Sequence, residues 1–256
     1  MTNIALLIKT WNGSQLRQID ELLHNQFADL DVDLKIIGNP INRWVQASIE
    51  GEDQTIAMAY IRKEIGTCPV SFDAVDVGMV LKGFVSKIDV EKQRLLVDVG
   101  VFEPKPTQAA VYLPNLQLQL TNNRDVTLKQ LTTAYAITEG LPLSLKIVSK
   151  DPDTLTAELS DEQTLKLQGW QQSLLDRLIV MRTSKELVSE VIERTRLDRD
   201  VIDIEHLGLF EFALVCKLGT DAAGLIPRMG RYMRNAVFVV FDAKKVRFER
   251  ELGLTL

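Results

Sequence analysis

Between residues 76 and 161 the chain breaks into five short apolar stretches, and no other feature restricts its fold as tightly. Residues 80–88, 93–99, 109–113, 141–148 and 154–159 are rich in Val, Leu and Ile and are bounded by turn formers. Gly100, the Pro104-Lys105-Pro106 run and Asp151-Pro152-Asp153 separate them. A polar stretch over 121–124 precedes a helix carried by Leu128, Leu131 and Tyr135. Five short strands with one helix between the third and fourth is the order of a small closed barrel. Gly78 and Gly83 suit a tightly curled first strand.

Mixed elements flank this segment. Ile4 to Ile8 is an apolar run, and Leu16, Ile19, Leu22, Leu23 and Phe27 follow at helical spacing behind a turn capped by Ser14. Val32, Leu34 and Ile36 alternate as a strand closed by Gly38-Asn39-Pro40, and residues 44–49 form another. A second amphipathic helix over 56–65 stops at Gly66. The result is a βαββα unit of ferredoxin-like kind, without a last strand, over 1–68, followed by a linker over 67–75.

Beyond the barrel, Ser160 and Gln163 open a long helix with a capping box, and Leu167, Trp170, Leu174, Leu178 and Met181 give it one apolar seam. A second box, Thr183 and Glu186, opens another helix. Two strands meeting at Gly208, a helix starting near Pro227 and a strand over 237–241 complete an α+β domain over 162–256, led by the long helix. The fold class is therefore α+β and multi-domain, with domains over 1–68, 76–161 and 162–256.

Composition narrows the function classes. A 46% apolar content suits packed cores, and no run of about 18 apolar residues offers a membrane-spanning helix. The two cysteines, Cys68 and Cys216, are far apart and fit reduced thiols in a cytoplasmic protein. The N-terminal residues carry no secretory signal pattern. A net charge of −5 excludes generic coating of nucleic acid and requires a local contact patch.

The barrel segment resembles the OB-fold RNA-binding domain of ribosomal-protein-S-one type. Gly78-x-Val80-x-x-Gly83-x-Val85 matches that family's first strand, Leu96-Val97-Asp98-Val99-Gly100 its second, and residues 109–116 its third strand and exit. The resemblance implies single-strand RNA binding, with base stacking at Tyr112 and a phosphate contact from Lys82. It departs at Leu96, where the family stacks a base on an aromatic. Across nearly the whole chain the sequence also resembles an archaeal domain-of-unknown-function family (two-one-one-zero). Arg43-Trp44-Val45, the barrel pattern, and the stretch from Leu207-Gly208-Leu209 through Ala222 carry that resemblance. It implies an archaeal cytoplasmic protein.

No catalytic or metal constellation emerges. His24 and His206 are the only histidines, and no spacing suits zinc. No nucleophile–base signature occurs. Asp203 and Glu205 alternate onto one solvated strand face. The residues 219–224 lack the ending of a phosphate-binding loop and read as a capped turn. Arg228, Arg231 and Arg234 fall on one side of a helix, with Lys244, Lys245, Arg247 and Arg250 following. From Lys217 to Arg250 there are eight basic and three acidic residues, leaving the remaining chain strongly acidic. The arginines are either a solvated helix face or a phosphate-contacting patch.

The expectation is a non-enzymatic RNA- or ribonucleoprotein-binding protein, with Lys82, Lys87, Tyr112, Arg228, Arg231 and Arg234 at the interface. The alternative is a protein–protein adaptor whose barrel is a scaffold. Expected partners are RNA, the ribosome or the transcription machinery, with no cofactor, no metal and no membrane.

Overall fold

The computed structural model describes residues 2–243; the basic residues Lys244, Lys245, Arg247 and Arg250 lie outside them. The chain divides into two compact units. One holds the residues up to Val75 together with Val99–Thr107, and the other holds Asp76–Asp98 and the chain from Gln108 onward.

The first unit runs β1 (Thr2–Lys9), α1 (Gly13–Gln26), β2 (Asp33–Ile41), β3 (Trp44–Glu50) and α2 (Gln54–Tyr60), with an antiparallel sheet ordered β1-β3-β2. Asn12, rather than Ser14, caps α1: its Oδ1 accepts the Gln15 N–H at 3.0 Å, and the Gln15 side chain accepts the Trp11 N–H at 2.7 Å. This reciprocal exchange satisfies two amide donors at once, which Ser14, already inside the helix, cannot do. β2 continues through Gly38-Asn39-Pro40 instead of closing there. It is an edge strand, where a proline costs no ladder hydrogen bond. α2 passes into a π-helical turn, Ile61–Ile65, and stops at Gly66.

The expected lack of a last strand needs one correction. Thr67 forms a single antiparallel bridge to Leu6, flanked by bonds from Leu7 N–H to Gly66 O (3.0 Å) and from Cys68 N–H to Ala5 O (2.8 Å). A remnant of a fourth strand therefore lies beside β1. The expected linker then forms β4 (Val70–Ser71), which pairs in parallel with Val101.

The barrel segment runs β5 (Val80–Asp89), β6 (Arg94–Glu103) and β7 (Thr107–Tyr112), then α3 (Leu113–Thr121), α4 (Leu128–Ala134), β8 (Pro142–Asp151) and β9 (Thr154–Leu159), with the second half of β6 counted in the first unit. The five long strands pair in the order β6-β5-β8-β9-β7, and β6 also pairs with β7, which closes the barrel. Val85, Leu95, Val97, Val111, Leu145 and Leu155 fill its interior. α4 is the expected helix, with a capping box from Thr127 and Gln130. α3 was not expected, because Leu113 to Leu116 reads as the end of a strand. Pro114 at its first turn and buried Leu116 and Leu120, one helical turn apart, are its local signals.

The chain continues through α5 (Asp161–Gln172), β10 (Arg177–Met181), α6 (Lys185–Arg194), β11 (Val201–His206), β12 (Glu211–Cys216), a 3-10 turn (Ala222–Leu225), α7 (Ile226–Met229) and β13 (Val237–Phe241). The expected long helix thus ends at Gln172. Leu178 and Met181 lie on β10, the buried strand between β12 and β13. A strand buried on both faces reads as an unbroken apolar run, which periodicity alone cannot tell from a helix seam. Ser184, not Thr183, caps α6, accepting the Leu187 N–H at 3.3 Å. The antiparallel sheet is ordered β11-β12-β10-β13, and Leu178, Phe212 and Leu214 pack on one face against Val188, Val191 and Met229. Counted from β10, the strands lie fourth, first, third, second. The first unit repeats that order with its remnant strand.

The opposite face of this sheet meets α5. Trp170 packs edge-on to Phe241 with ring centres 5.6 Å apart. Its indole N–H donates to Glu205 at 2.8 Å, and the Arg177 guanidinium donates to the other Glu205 oxygen at 3.1 and 3.2 Å. The expected solvated face of Asp203 and Glu205 is therefore half correct: Asp203 is exposed, and Glu205 is bound inside this cluster.

Gly208 and Glu211 form a close-packed turn between β11 and β12. A Cβ at Gly208 would stand 2.2 Å from the Glu211 carboxylate. Glu211 is 2% exposed, and burial pushes its carboxyl up to about 8, against a small opposing pull from the Phe210 N–H. The folded chain thus holds this proton more tightly than the unfolded chain, whose ordinary value is 4.5. The stability this group contributes is complete below that ordinary value and is lost as pH rises through about 8. Melting curves across that range should show a fall that Glu211→Gln removes, leaving the variant the more stable form at high pH by on the order of a few kcal/mol. An unchanged pH slope in the variant would refute this assignment.

Gly100 has φ +76, and a Cβ there would stand 2.4 Å from Cys68 Sγ. Gly100→Ala combines backbone strain with a clash in packed surroundings, so denaturant titration should show a loss of about 2–4 kcal/mol.

Candidate nucleic-acid interface

The barrel's outer face follows from its register. Val85 opposite Val97 points inward, so Phe84 opposite Asp98, and beyond a bulge Lys87 opposite Leu96, point outward. Lys82, opposite Ser144, points outward from the other side of β5. Lys82 and Lys87 are exposed, as expected. Between them, however, Phe84 is 5% and Asp98 3% exposed. A covered strip therefore separates the two lysines.

Further along β6, Gly100 faces Cys68, so the segment after Gly66 lies against that part of the strand. The uncovered end is the β5–β6 hairpin. There the Leu113 N–H donates to Gln93 O at 2.9 Å, which brings Tyr112 to the hairpin beside Arg94. Tyr112 is 39% exposed. Arg94 donates to Asp89 at 3.2 Å. Burial raises the Asp89 carboxyl, but the Lys92 N–H, Arg94 and the nearby Lys87 charge outweigh it and hold the group below the ordinary carboxylate range. Lys87, Arg94 and Tyr112 are thus assembled at one end, with Leu96 half-buried between them. Sequence reasoning missed Arg94; its place directly after a hairpin turn was the available signal.

Lys82 belongs to a different neighbourhood. Its charge acts on Lys166 of α5, whose amine is pushed down mainly by burial while Glu205 and Glu162 oppose the shift. Lys166 also lies 5.7 Å from the Trp170 ring.

The C-terminal arginines are arranged differently from the expected helix face. α7 ends at Met229, so only Arg228 is helical, and Arg231 and Arg234 sit in the turns that follow. Arg228 bonds the Thr195 carbonyl and pairs with Asp200 at 3.3 Å. Arg194, at the end of α6, stacks over Tyr232 at 4.5 Å. Sequence reasoning missed Arg194, because nothing local joins two segments nearly forty residues apart.

Elsewhere the titratable groups have ordinary structural roles. His24 bonds the Asp20 carbonyl and His206 packs edge-on to Phe212. Cys68 and Cys216 are buried, and burial pushes the Cys216 thiol up to about 11. Asp221 caps the 3-10 turn through Ala223 N–H at 2.9 Å, the capped turn expected for 219–224. Among the described residues no group of three His, Cys, Asp or Glu is placed to hold a metal, and no helix is long and apolar enough to cross a membrane.

No curated protein matches the chain. Family models cover most of it, and their bounds fall where the elements change: before β5, and between α5 and β10. With the DUF2110 N-terminal domain matched over residues 3–71, the central domain over 75–171 and the C-terminal domain over 175–241, the chain belongs to the DUF2110 family.

Proposed function

We propose that this protein is a non-enzymatic RNA- or ribonucleoprotein-binding protein whose barrel is an OB fold of S-one type. The closed strand order, with both helices of the crossover between β7 and β8, supports the OB assignment. The flanking strand order, fourth, first, third, second, supports the ferredoxin-like reading of both outer domains. The family resemblance extends the proposal to an archaeal cytoplasmic setting within transcription or translation.

One observation carries the RNA reading: Tyr112 stands exposed at the open end of the barrel, beside Arg94 and near the Lys87–Leu96 pair. An exposed ring with neighbouring cations stacks a base while the cations meet phosphates. Half of the usual stacking surface is absent, because Leu96 offers no ring. Binding by this end alone is correspondingly modest and depends on Tyr112.

A second reading has its own support. Phe84 and Asp98 are covered, while Val77, Val80 and Val148 are exposed around the first barrel strand. A scaffold that docks a protein of the transcription or translation apparatus fits that pattern.

Fluorescence anisotropy with labelled single-stranded RNA separates the two. Tyr112→Ala should weaken binding about 5- to 150-fold, the range expected for one stacked base, and Tyr112→Phe should preserve it. Lys87→Glu should weaken it and flatten the salt dependence by about one unit of slope. Binding that ignores salt, or that survives Tyr112→Ala, would refute RNA contact at this end.

A further inference from the structure

The two halves of the C-terminal sheet's helical layer bring together residues that the sequence keeps apart. The end of α6 and the turn after it carry Arg194, Arg196 and Arg199, all exposed. The segment after α7 carries Arg231, Tyr232 and Arg234, also exposed. Arg228 ties the two: its guanidinium bonds the Thr195 carbonyl and pairs with Asp200, residues adjacent to Arg194, Arg196 and Arg199. Both of its terminal nitrogens bond the fold, so Arg228 is a positioning residue. Arg194 lies 4.5 Å over the Tyr232 ring, which is still 42% exposed.

The charges are unequal. Along residues 193–200, Glu193, Asp198 and Asp200 balance the three arginines, and Asp200 is itself paired with Arg228. Residues 226–236 hold three arginines and no carboxylate. In a chain of net charge −5 this is a local excess of guanidinium groups in the segment that carries an exposed ring. Guanidinium forks match phosphate oxygens in pairs, whereas an aromatic face accepts a base of any sequence.

We infer that Arg194, which lies over Tyr232, and the flanking Arg231 and Arg234 form a second contact site for the phosphate backbone of single-stranded RNA, with a base stacked on the outer face of Tyr232. The inference rests on the RNA reading above and adds a site distinct from the barrel end. One chain then engages a strand at two places, which raises affinity through effective concentration without demanding a strong site at either.

The test uses the whole chain and a labelled oligouridylate, titrated across salt. The double variant Arg231→Glu/Arg234→Glu should weaken binding at least about tenfold and lower the salt slope by about one to two units. Tyr232→Ala should weaken binding by about 5- to 150-fold with little change of slope, and Tyr232→Phe should bind as the unaltered chain does. All these side chains are exposed, so melting temperatures should stay within a few degrees and report that the fold is intact. If the double variant binds normally while Tyr112→Ala does not, the second site is refuted and the barrel reading stands. If the unaltered chain shows no salt-dependent binding to RNA, both are refuted, and retention of an acidic protein by the arginine face would identify the alternative partner.

Discussion

The pair of Arg177 and Glu205, closed over Trp170, is the contact on which the second unit depends. Arg177 is 5% exposed on the first strand of the C-terminal sheet, and its guanidinium is held on two sides: by Glu205 on one, by Ser173 Oγ at 2.9 Å and the Leu175 carbonyl at 3.0 Å on the other. Glu205 in turn uses its second oxygen for the Trp170 N–H. Removing one member of so enclosed a pair leaves a charge without compensation and costs about 3–5 kcal/mol. Trp170 is the last buried apolar residue of α5, and α5 is fastened to the barrel by glutamines. Gln163 accepts the Ser144 N–H at 3.1 Å, and Gln168 donates to the Gln119 carbonyl at 3.0 Å. One helix therefore carries glutamine hydrogen bonds toward the barrel and, through Trp170, a hydrogen bond to the ion pair of the sheet.

That arrangement limits where a ligand can reach. The sheet's second face is given to α5, so the C-terminal domain has only its helical layer and loops left to present. The barrel is restricted differently. Its β5–β6 face is buried at Phe84 and Asp98, and the hairpin end remains open. Both open regions pair an exposed tyrosine with arginine, Tyr112 with Arg94 and Tyr232 with Arg194. The net charge of −5 disfavours generic coating of a polyanion and leaves discrete cationic patches as the places where one could be met.

What the sequence disclosed and what it hid divides along physical lines. The barrel was legible because its strands are short, alternate cleanly and are separated by Gly and Pro; only α3 escaped, since residues 113–116 read as the exit of the third strand. β10 was misread because Leu178 and Met181 extend the 3,4,4,3 spacing of the α5 seam, and a strand buried on both faces has no alternation to reveal it. The candidate interface residues were legible one at a time. Lys82, Lys87 and Tyr112 are all exposed as expected, but the buried Phe84–Asp98 pair that separates the lysines arises only from register. Arg194 beside Tyr232 depends on two helices packing on the same sheet face, a non-local fact that no window of sequence contains.

The two outer domains share a strand order but end differently, and the difference has a local cause. In the C-terminal domain the fourth strand, β13, pairs with β10 over five residues, from Val237 to Phe241. In the N-terminal domain the corresponding strand makes one bridge at Thr67 and then leaves β1. Pro69 follows two residues later and has no N–H to continue the ladder. Val70, forced to φ +66, turns the chain so that β4 pairs with Val101 instead. A β-branched residue with positive φ is costly and persists only where its surroundings fix it. Here the fixing contacts are the β4 ladder and Cys68 seated against Gly100, where only a residue without Cβ fits. The chain that would have extended the N-terminal sheet beyond Thr67 thus pairs instead with Val101 and Glu103 of β6.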